Sequence, residues 1–309
     1  MSGFNNAWNV PLVPKVTAYT TPGSFTWTKA LGSQYMTVVV VNGGGGGGSG
    51  RRGTSTAAGG GGGGACGSCL YWQGNSNFFG ATETVVVGSG GVGGIAQTVN
   101  SSDGNVGGQG GVSSMGNILV TPQASMGGAG GNTTVSTPGT SGLYIFFSPF
   151  GVESSSGPTQ GQTQLANSGY GSNSIGTDSG NFYISYFSPL GGGGGSGADS
   201  GTAQQAGNGG SHQDPSGHTI VVAGGAGGIE TGTINGGDGS PLSYASGGYV
   251  ISGTGAGGGG GQKSGGSAGH GGAGKSGSGG GGGGGSLNGT NSGAGGNGGD
   301  GYVLVIEYF

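Results

Sequence analysis

The chain has 309 residues, of which 93 are glycine, and only 5% of its residues are charged. Ten prolines without a sustained Gly-X-Y register exclude collagen. The presence of 10 Phe, 11 Tyr and 3 Trp argues against a disordered chain, which is typically poor in aromatics and rich in charge. A formal net charge of −4, with six basic residues scattered singly or in pairs, argues against nucleic acid as a partner.

The N-terminal segment, residues 1–22, differs from the rest because it is almost free of glycine. It holds Trp8, Val10, Leu12 and Val13, and its prolines favour an extended strand laid on a partner. We predict that this segment attaches the protein to another protein, and the alternative is a first edge strand of the domain itself. Because the sequence offers neither a signal peptide nor an apolar run that could cross a bilayer, we expect no membrane insertion.

Short β-branched or aromatic runs, separated by glycine, predict β-strands along the whole chain. No stretch shows helical periodicity. The predicted fold class is therefore all-β, with short antiparallel strands and almost no α-helix. The predicted strands are residues 25–28, 35–41, 82–87, 117–121, 143–147, 182–187, 219–223, 249–251 and 302–308.

Glycine follows a Gly-Gly-x rhythm in many tracts, such as "GGVGG" at 90–94 and "GGNGGDG" at 295–301. In polyproline II geometry, with three residues per turn, this period places x on one edge and bare backbone on the other two. We predict packed polyglycine II helices in a glycine-rich sandwich, because backbone pairing must offset the entropy that ordered glycine loses. Flexible linkers are the alternative. The runs without x suit helices surrounded on every side: 43–48, 59–64, 191–195, 257–261 and 279–285.

Two short motifs raise the possibility of ligand chemistry. "GHGGAGKS" at 269–276 matches a phosphate-binding loop, but its glycine-rich flanks offer neither the strand nor the helix that this motif needs. Lys275 is therefore expected to be a solvated side chain. Cys66 and Cys69 lack two further ligands in a recognised zinc spacing, so we predict no metal and no cofactor. They are expected to be free packing residues or a local disulfide.

The sequence offers no catalytic constellation. Its ten acidic residues are isolated from one another, and "SHQDPSGH" at 211–218 fits a polar loop better than a catalytic triad. We predict that the protein is not an enzyme, with a spatial pair of acids that hydrolyses glycan as the alternative.

Aromatic residues are concentrated in the connections between glycine tracts, where side chains can discriminate between partners. In "CLYWQGNSNFF" at 69–79 they stand among polar residues and are expected to be exposed. Two further aromatic segments, "YIFFSPFG" at 144–151 and "YISYFSPLG" at 183–191, echo each other. For Phe147 and Phe187, a place in core strands is an equal alternative. The predicted partner-contacting residues are Tyr71, Trp72, Phe78, Phe79, Phe147, Phe150, Tyr186 and Phe187.

Taken in order, the tracts resemble the glycine-rich domain of bacteriophage tail-fibre and tail-tip adhesins. The resemblance spans 23–309, with 132–222 as a variable insertion. The segments that carry it are "SFTWTKALGSQYMTVVVVNGGGGGGSG" (24–50), "ETVVVGSGGVGG" (83–94), "GGQGGVSSMGNILVTPQASMGGAGG" (107–131) and "GGNGGDGYVLVIEYF" (295–309).

The resemblance implies a virion protein, made in the host cytoplasm, whose glycine helices form a rigid sandwich. Its N-terminal segment would dock on another tail protein, and its aromatic loops would bind a bacterial surface glycan or outer-membrane protein non-covalently. Because phage fibres are commonly threefold, a homotrimer or a cap on a trimeric partner is expected. The alternatives are a glycan depolymerase of the tail and a purely structural tail component.

Overall fold

A computed structural model describes the chain in 18 ranges, and within them the fold is all-β, as predicted. It contains 17 strands, one turn of 3-10 helix and no α-helix in those ranges. The described residues are 13–54, 57–121, 125–133, 135–136, 143–148, 151–153, 163–164, 168–169, 171–172, 175–176, 189–198, 204–213, 220–229, 231, 233–243, 250–263, 266–287 and 289–309.

The strands are short, and many are separated by glycine-rich segments. Their bounds are β1 (Lys15–Tyr19), β2 (Gly23–Thr28), β3 (Tyr35–Val41), β4 (Cys69–Asn75), β5 (Thr82–Val87), β6 (Ser114–Met115), β7 (Leu119–Val120), β8 (Val135–Ser136), β9 (Leu143–Ser148), β10 (Gly151–Glu153), β11 (Thr163–Gln164), β12 (Gly171–Ser172), β13 (His212–Gln213), β14 (Ile220–Val222), β15 (Pro241–Ser243), β16 (Val250–Gly253) and β17 (Tyr302–Tyr308). The 3-10 turn covers Ser76–Phe78.

The main sheet has the strand order β1-β17-β3-β4-β9-β10, and β11 also pairs with β9. Its pairs are antiparallel except β4 with β9, which is parallel. β3 and β17 are nearly continuous runs of β-branched and aliphatic residues, and both are covered on their two faces, which suits central strands.

A second sheet, β2-β5-β6-β7, packs on one face of the main sheet. Because successive side chains of a strand point to opposite faces, β3 supplies Met36, Val38 and Val40 to the core between the sheets and Val39 and Val41 to the other face. The core between the sheets also contains Trp27, Leu70, Trp72, Phe79, Val85, Val87, Met115, Leu119, Val303 and Val305.

Part of the N-terminal segment joins this sheet. Lys15–Tyr19 forms β1 and pairs antiparallel with β17, from Lys15 opposite Glu307 to Tyr19 opposite Val303. The alternative of a first edge strand is therefore correct for these five residues. Val13 is exposed, whereas Trp8, Val10 and Leu12 lie outside the described residues.

Extended glycine segments pack side by side and hydrogen bond to one another with a period of three residues. From Gly43 to Arg51, every third N–H group donates to the same neighbouring segment. These neighbours are segment 104–113 (from Gly43, Gly46 and Ser49), segment 291–301 (from Gly44, Gly47 and Gly50) and segment 58–67 (from Gly45, Gly48 and Arg51). The backbone donors of a segment without internal hydrogen bonds are satisfied in this way.

The glycine runs without x are buried throughout, which confirms that they are surrounded on every side. They lie in five segments, which we call the inner segments: 42–53, 58–67, 190–198, 254–262 and 278–287. The other glycine segments are called outer segments, and the inner and outer segments together form the glycine lattice. Within the predicted insertion at 132–222, residues 190–198 form an inner segment of the lattice and Leu143–Ser148 forms β9 of the main sheet.

Candidate functional site

The main sheet has one end that faces away from the glycine lattice, and several turns converge there. β3 begins at this end with Tyr35, which is opposite both Asn75 of β4 and Tyr308 of β17. β1 also begins here, so the residues before Lys15 approach the sheet from this end. We call it the aromatic end, because the rings of Tyr35 and Phe78 are exposed on it. Leu31 is exposed on it as well.

Phe78 is held in place by the 3-10 turn that follows β4. The Asn75 side chain caps this turn by accepting a hydrogen bond from the N–H of Asn77 at 2.9 Å. The Lys29 ammonium donates to the carbonyls of Ser76 at 3.2 Å and Phe79 at 3.0 Å, which closes the turn against the β2–β3 loop. Phe78 remains 52% exposed, so the predicted exposure of this ring is confirmed.

Trp72 and Phe79 are core residues, so the predicted exposure of these two rings is wrong. Their exposed fractions are only 6% and 3%. Trp72 stacks on Phe78 with ring centroids 5.1 Å apart, and Phe79 makes edge contacts with both Trp72 and Trp27. The Trp72 ring lies over Gly74, where a Cβ would come within 2.6 Å of it. The polar neighbours in sequence were misleading because they alternate with buried residues along β4.

The remaining predicted contact residues differ in position. Tyr71 is half-buried, and desolvation is the main reason why the pKa of its phenol is raised. The backbone of Phe147 lies in β9, paired with that of Trp72, so its place in a strand is correct. Phe150, Tyr186 and Phe187 lie outside the described residues.

A buried carboxylate at the aromatic end contacts both the β2–β3 loop and β1. Glu307 of β17 is fully buried, and its Oε1 accepts a hydrogen bond from the N–H of Ala30 at 2.7 Å. The Lys15 ammonium lies 3.5 Å from its Oε2. One carboxylate therefore holds both the β2–β3 loop and the start of β1.

The phosphate-loop pattern at 269–276 does not form a phosphate-binding loop. Its N–H groups donate to neighbouring segments, for example Gly271 to Ala294 at 2.9 Å and Gly274 to Asn297 at 2.8 Å. A turn at Ser276 and Gly277 follows instead of a helix. Lys275 is exposed, as expected.

An open groove of about 430 Å³ lies beside this turn, and sequence reasoning missed it. Five glycines line it, among them Gly298 and Gly299, and several of its polar side chains come from three distant parts of the chain. These side chains are Thr20, Lys275, Ser276, Asn297 and Asp300.

The side chains of Arg51 and Arg52 link an inner segment to neighbouring parts of the chain. The Arg52 guanidinium donates to Asn100 Oδ1 and Asn291 Oδ1, both at 2.8 Å, and also to the carbonyls of Thr98 and Gly289. Arg51 forms an ion pair with Asp103. Both cations therefore have partners within the protein.

The two cysteines are buried thiols that pack between the main sheet and the lattice. They form no disulfide, so the interpretation as packing residues is correct and that of a local disulfide is wrong. Across the described ranges, no three side chains of the metal-binding types come together.

One side of the lattice is apolar, because outer segments 88–97 and 104–113 lie side by side and present aliphatic side chains to solvent. The exposed residues are Val92, Ile95, Val106 and Val112. Other outer segments carry polar residues between their glycines. The side chains of these residues accept hydrogen bonds from N–H groups of neighbouring segments, for example those of Asn235 and Asp238. The lattice therefore has chemically distinct sides.

Comparison with protein-family models and with curated proteins finds no match. Within the described residues there is also no helix with the length and apolar character needed to cross a bilayer.

Proposed function

We propose that this protein is a structural and receptor-binding component of a bacteriophage tail, and that it adheres to the bacterial surface non-covalently. The observation that supports it most is the division between a backbone-bonded glycine lattice and a few exposed side chains at its borders. Glycine offers no side chain with which to discriminate between partners, so recognition is left to residues such as Phe78 and Leu31.

The lattice is proposed to consist of polyglycine II helices. This geometry has three residues per turn and no internal hydrogen bonds, which is consistent with the threefold rotation of donors in segment 42–53. Rigid packing of this kind would present the aromatic end in one geometry, and a preorganised surface loses less entropy on binding.

The proposed receptor contact at the aromatic end centres on Phe78. Its ring is stacked on Trp72, so it is exposed and yet held in one orientation, as in the aromatic anchors of protein interfaces. Replacing Phe78, Trp72 and Phe79 together would remove two core side chains. The informative variant is therefore Phe78→Ala alone.

The test is binding of purified protein to bacteria that the virus infects, together with competition against infection. We expect Phe78→Ala to weaken cell binding by about tenfold or more, as for an anchor worth about 2 kcal/mol, while the melting temperature stays near that of the wild type. Ile95→Ala is the matched control, because Ile95 is 77% exposed on the apolar side of the lattice. Wild-type protein that neither binds cells nor blocks infection would contradict adhesion.

A purely structural tail component is the second candidate. One observation favours it. The residues before Lys15 are proposed to dock on another tail protein, and they approach the sheet at the same end as Phe78. If Phe78→Ala protein binds cells normally but is lost from virions, the aromatic end is the attachment surface.

A further inference from the structure

We propose that the groove between outer segments 88–97, 267–275 and 291–301 is a saccharide-binding site that takes the hydroxyl groups of a bacterial surface glycan. The inference deepens the proposed adhesive function and rests on it. The groove is open to solvent and is lined by five glycines, by Val92 and Tyr302, and by a set of polar side chains that belong to different segments.

Two of these side chains are held in place before any ligand arrives. Asp300 Oδ1 accepts a hydrogen bond from the N–H of Gly90 at 2.8 Å, and Asn297 Oδ1 accepts one from the N–H of Gly93 at 2.8 Å. Each residue thereby keeps its second polar atom, a carboxylate oxygen or an amide NH₂ group, for another partner. Since they are three residues apart on one extended segment, their Cα atoms are about 9 Å apart, a span that suits more than one sugar ring.

Lys275 stands on the other wall of the groove, at a tight turn. The N–H of Ser278 donates to the carbonyl of Lys275 at 3.0 Å, and the two residues between them have positive φ, 45° for Ser276 and 80° for Gly277, as in a type I′ turn. A non-glycine residue with positive φ is uncommon and concentrates at functional sites. Within the described residues, neither Lys275 nor Asp300 forms an ion pair.

The chemistry of the lining selects the class of ligand. An ammonium donor, an amide donor, a carboxylate acceptor and the hydroxyls of Thr20 and Ser276 require a ligand that both donates and accepts hydrogen bonds, as sugar hydroxyls do. Phosphate groups are disfavoured, because Asp300 would repel them and the N–H groups of Gly271 and Gly274 are already engaged.

The test uses the full-length protein on an array of oligosaccharides released from bacterial capsules and lipopolysaccharides, followed by calorimetric titration of the strongest one. The variants are Lys275→Met and Asp300→Asn, and Asn at 300 retains an oxygen for the N–H of Gly90. Asp238→Asn is the matched control, because Asp238 Oδ1 accepts a hydrogen bond from the N–H of Ala273 at the same 2.8 Å but lies outside the groove.

We expect the wild type to bind an oligosaccharide, Lys275→Met and Asp300→Asn each to weaken binding about tenfold or more, and Asp238→Asn to bind like the wild type. Wild-type protein that binds no oligosaccharide, or groove variants that bind as well as it does, would overturn the proposal. Binding of ATP that depends on Lys275 would also overturn it, in favour of a phosphate site. Cell adhesion, measured in parallel, separates the two hypotheses, since adhesion that persists in both groove variants would leave the proposed function standing without this site.

Discussion

At most positions of an inner segment, no residue larger than glycine fits, and Gly47 shows why. A Cβ at this residue would lie 2.0 Å from the carbonyl oxygen of Gly281, much closer than any real Cβ contact. The neighbour is backbone that is itself hydrogen-bonded, so it cannot rotate away as a side chain could. An added methyl group would therefore push two inner segments apart.

We expect Gly47→Ala to lower the free energy of unfolding by about 3 kcal/mol, the upper part of the usual range for overpacking, because separating the segments also weakens their hydrogen bonds. Gly80→Ala is the control, since its Cβ would make only ordinary contacts, the nearest being the Glu83 carboxylate and the Thr82 carbonyl, both at 3.4 Å. Denaturant titration of both variants measures the difference. Equal stability of the two variants would show that the inner segments are not tightly packed.

Cys69 links stability to pH. Burial, and secondarily the electrostatic effect of Cys66, raises the pKa of its thiol above the ordinary value. The folded state therefore keeps its proton while the unfolded chain loses it above about pH 8.5, so this contribution to stability is present at lower pH and is lost as pH rises.

Between pH 8 and 9.5, we expect the free energy of unfolding of the wild type to fall by about 1 kcal/mol more than that of Cys69→Ala. Comparing the two pH profiles removes the contribution of other titrating groups. Parallel profiles would show that the Cys69 thiol is not shielded in the folded protein.

Among the elements, β1 is an edge strand of the main sheet, next to β17. Removing residues 2–14 should leave the melting temperature nearly unchanged, because β1 and its Lys15–Glu307 ion pair are retained. Removing residues 2–20 should lower the melting temperature and promote aggregation, because it exposes the apolar edge of β17. A fold that is equally stable after both truncations would contradict the pairing of β1.

An element is predicted best from the sequence when all of its residues favour the same structure. β3, β5 and β17 have the predicted bounds of 35–41, 82–87 and 302–308, since each is a run of β-branched residues. β4 was not predicted, because Gln73 and Gly74 are typical of a polar loop. In the structure, the Trp72 ring packs over Gly74, where a larger residue would not fit. The groove could not be predicted, because Thr20, Gly90, Lys275 and Asp300 meet only through packing of distant segments.

At the scale of the whole molecule, the sheets and the glycine lattice form one continuous structure. β3 runs directly into inner segment 42–53, and segment 291–301 runs directly into β17. The aromatic end and the groove therefore belong to one continuous hydrogen-bonded structure.

The glycine segments form a packed, backbone-bonded lattice and not a set of flexible linkers. Hydrogen exchange on protein labelled with ¹⁵N-glycine tests it most directly, because linker amides exchange quickly and buried bonded amides exchange only on opening. We predict that most glycine amides of the inner segments stay protected for hours under native conditions. Exchange of these amides within seconds, at the rate of an unstructured chain, would contradict the account.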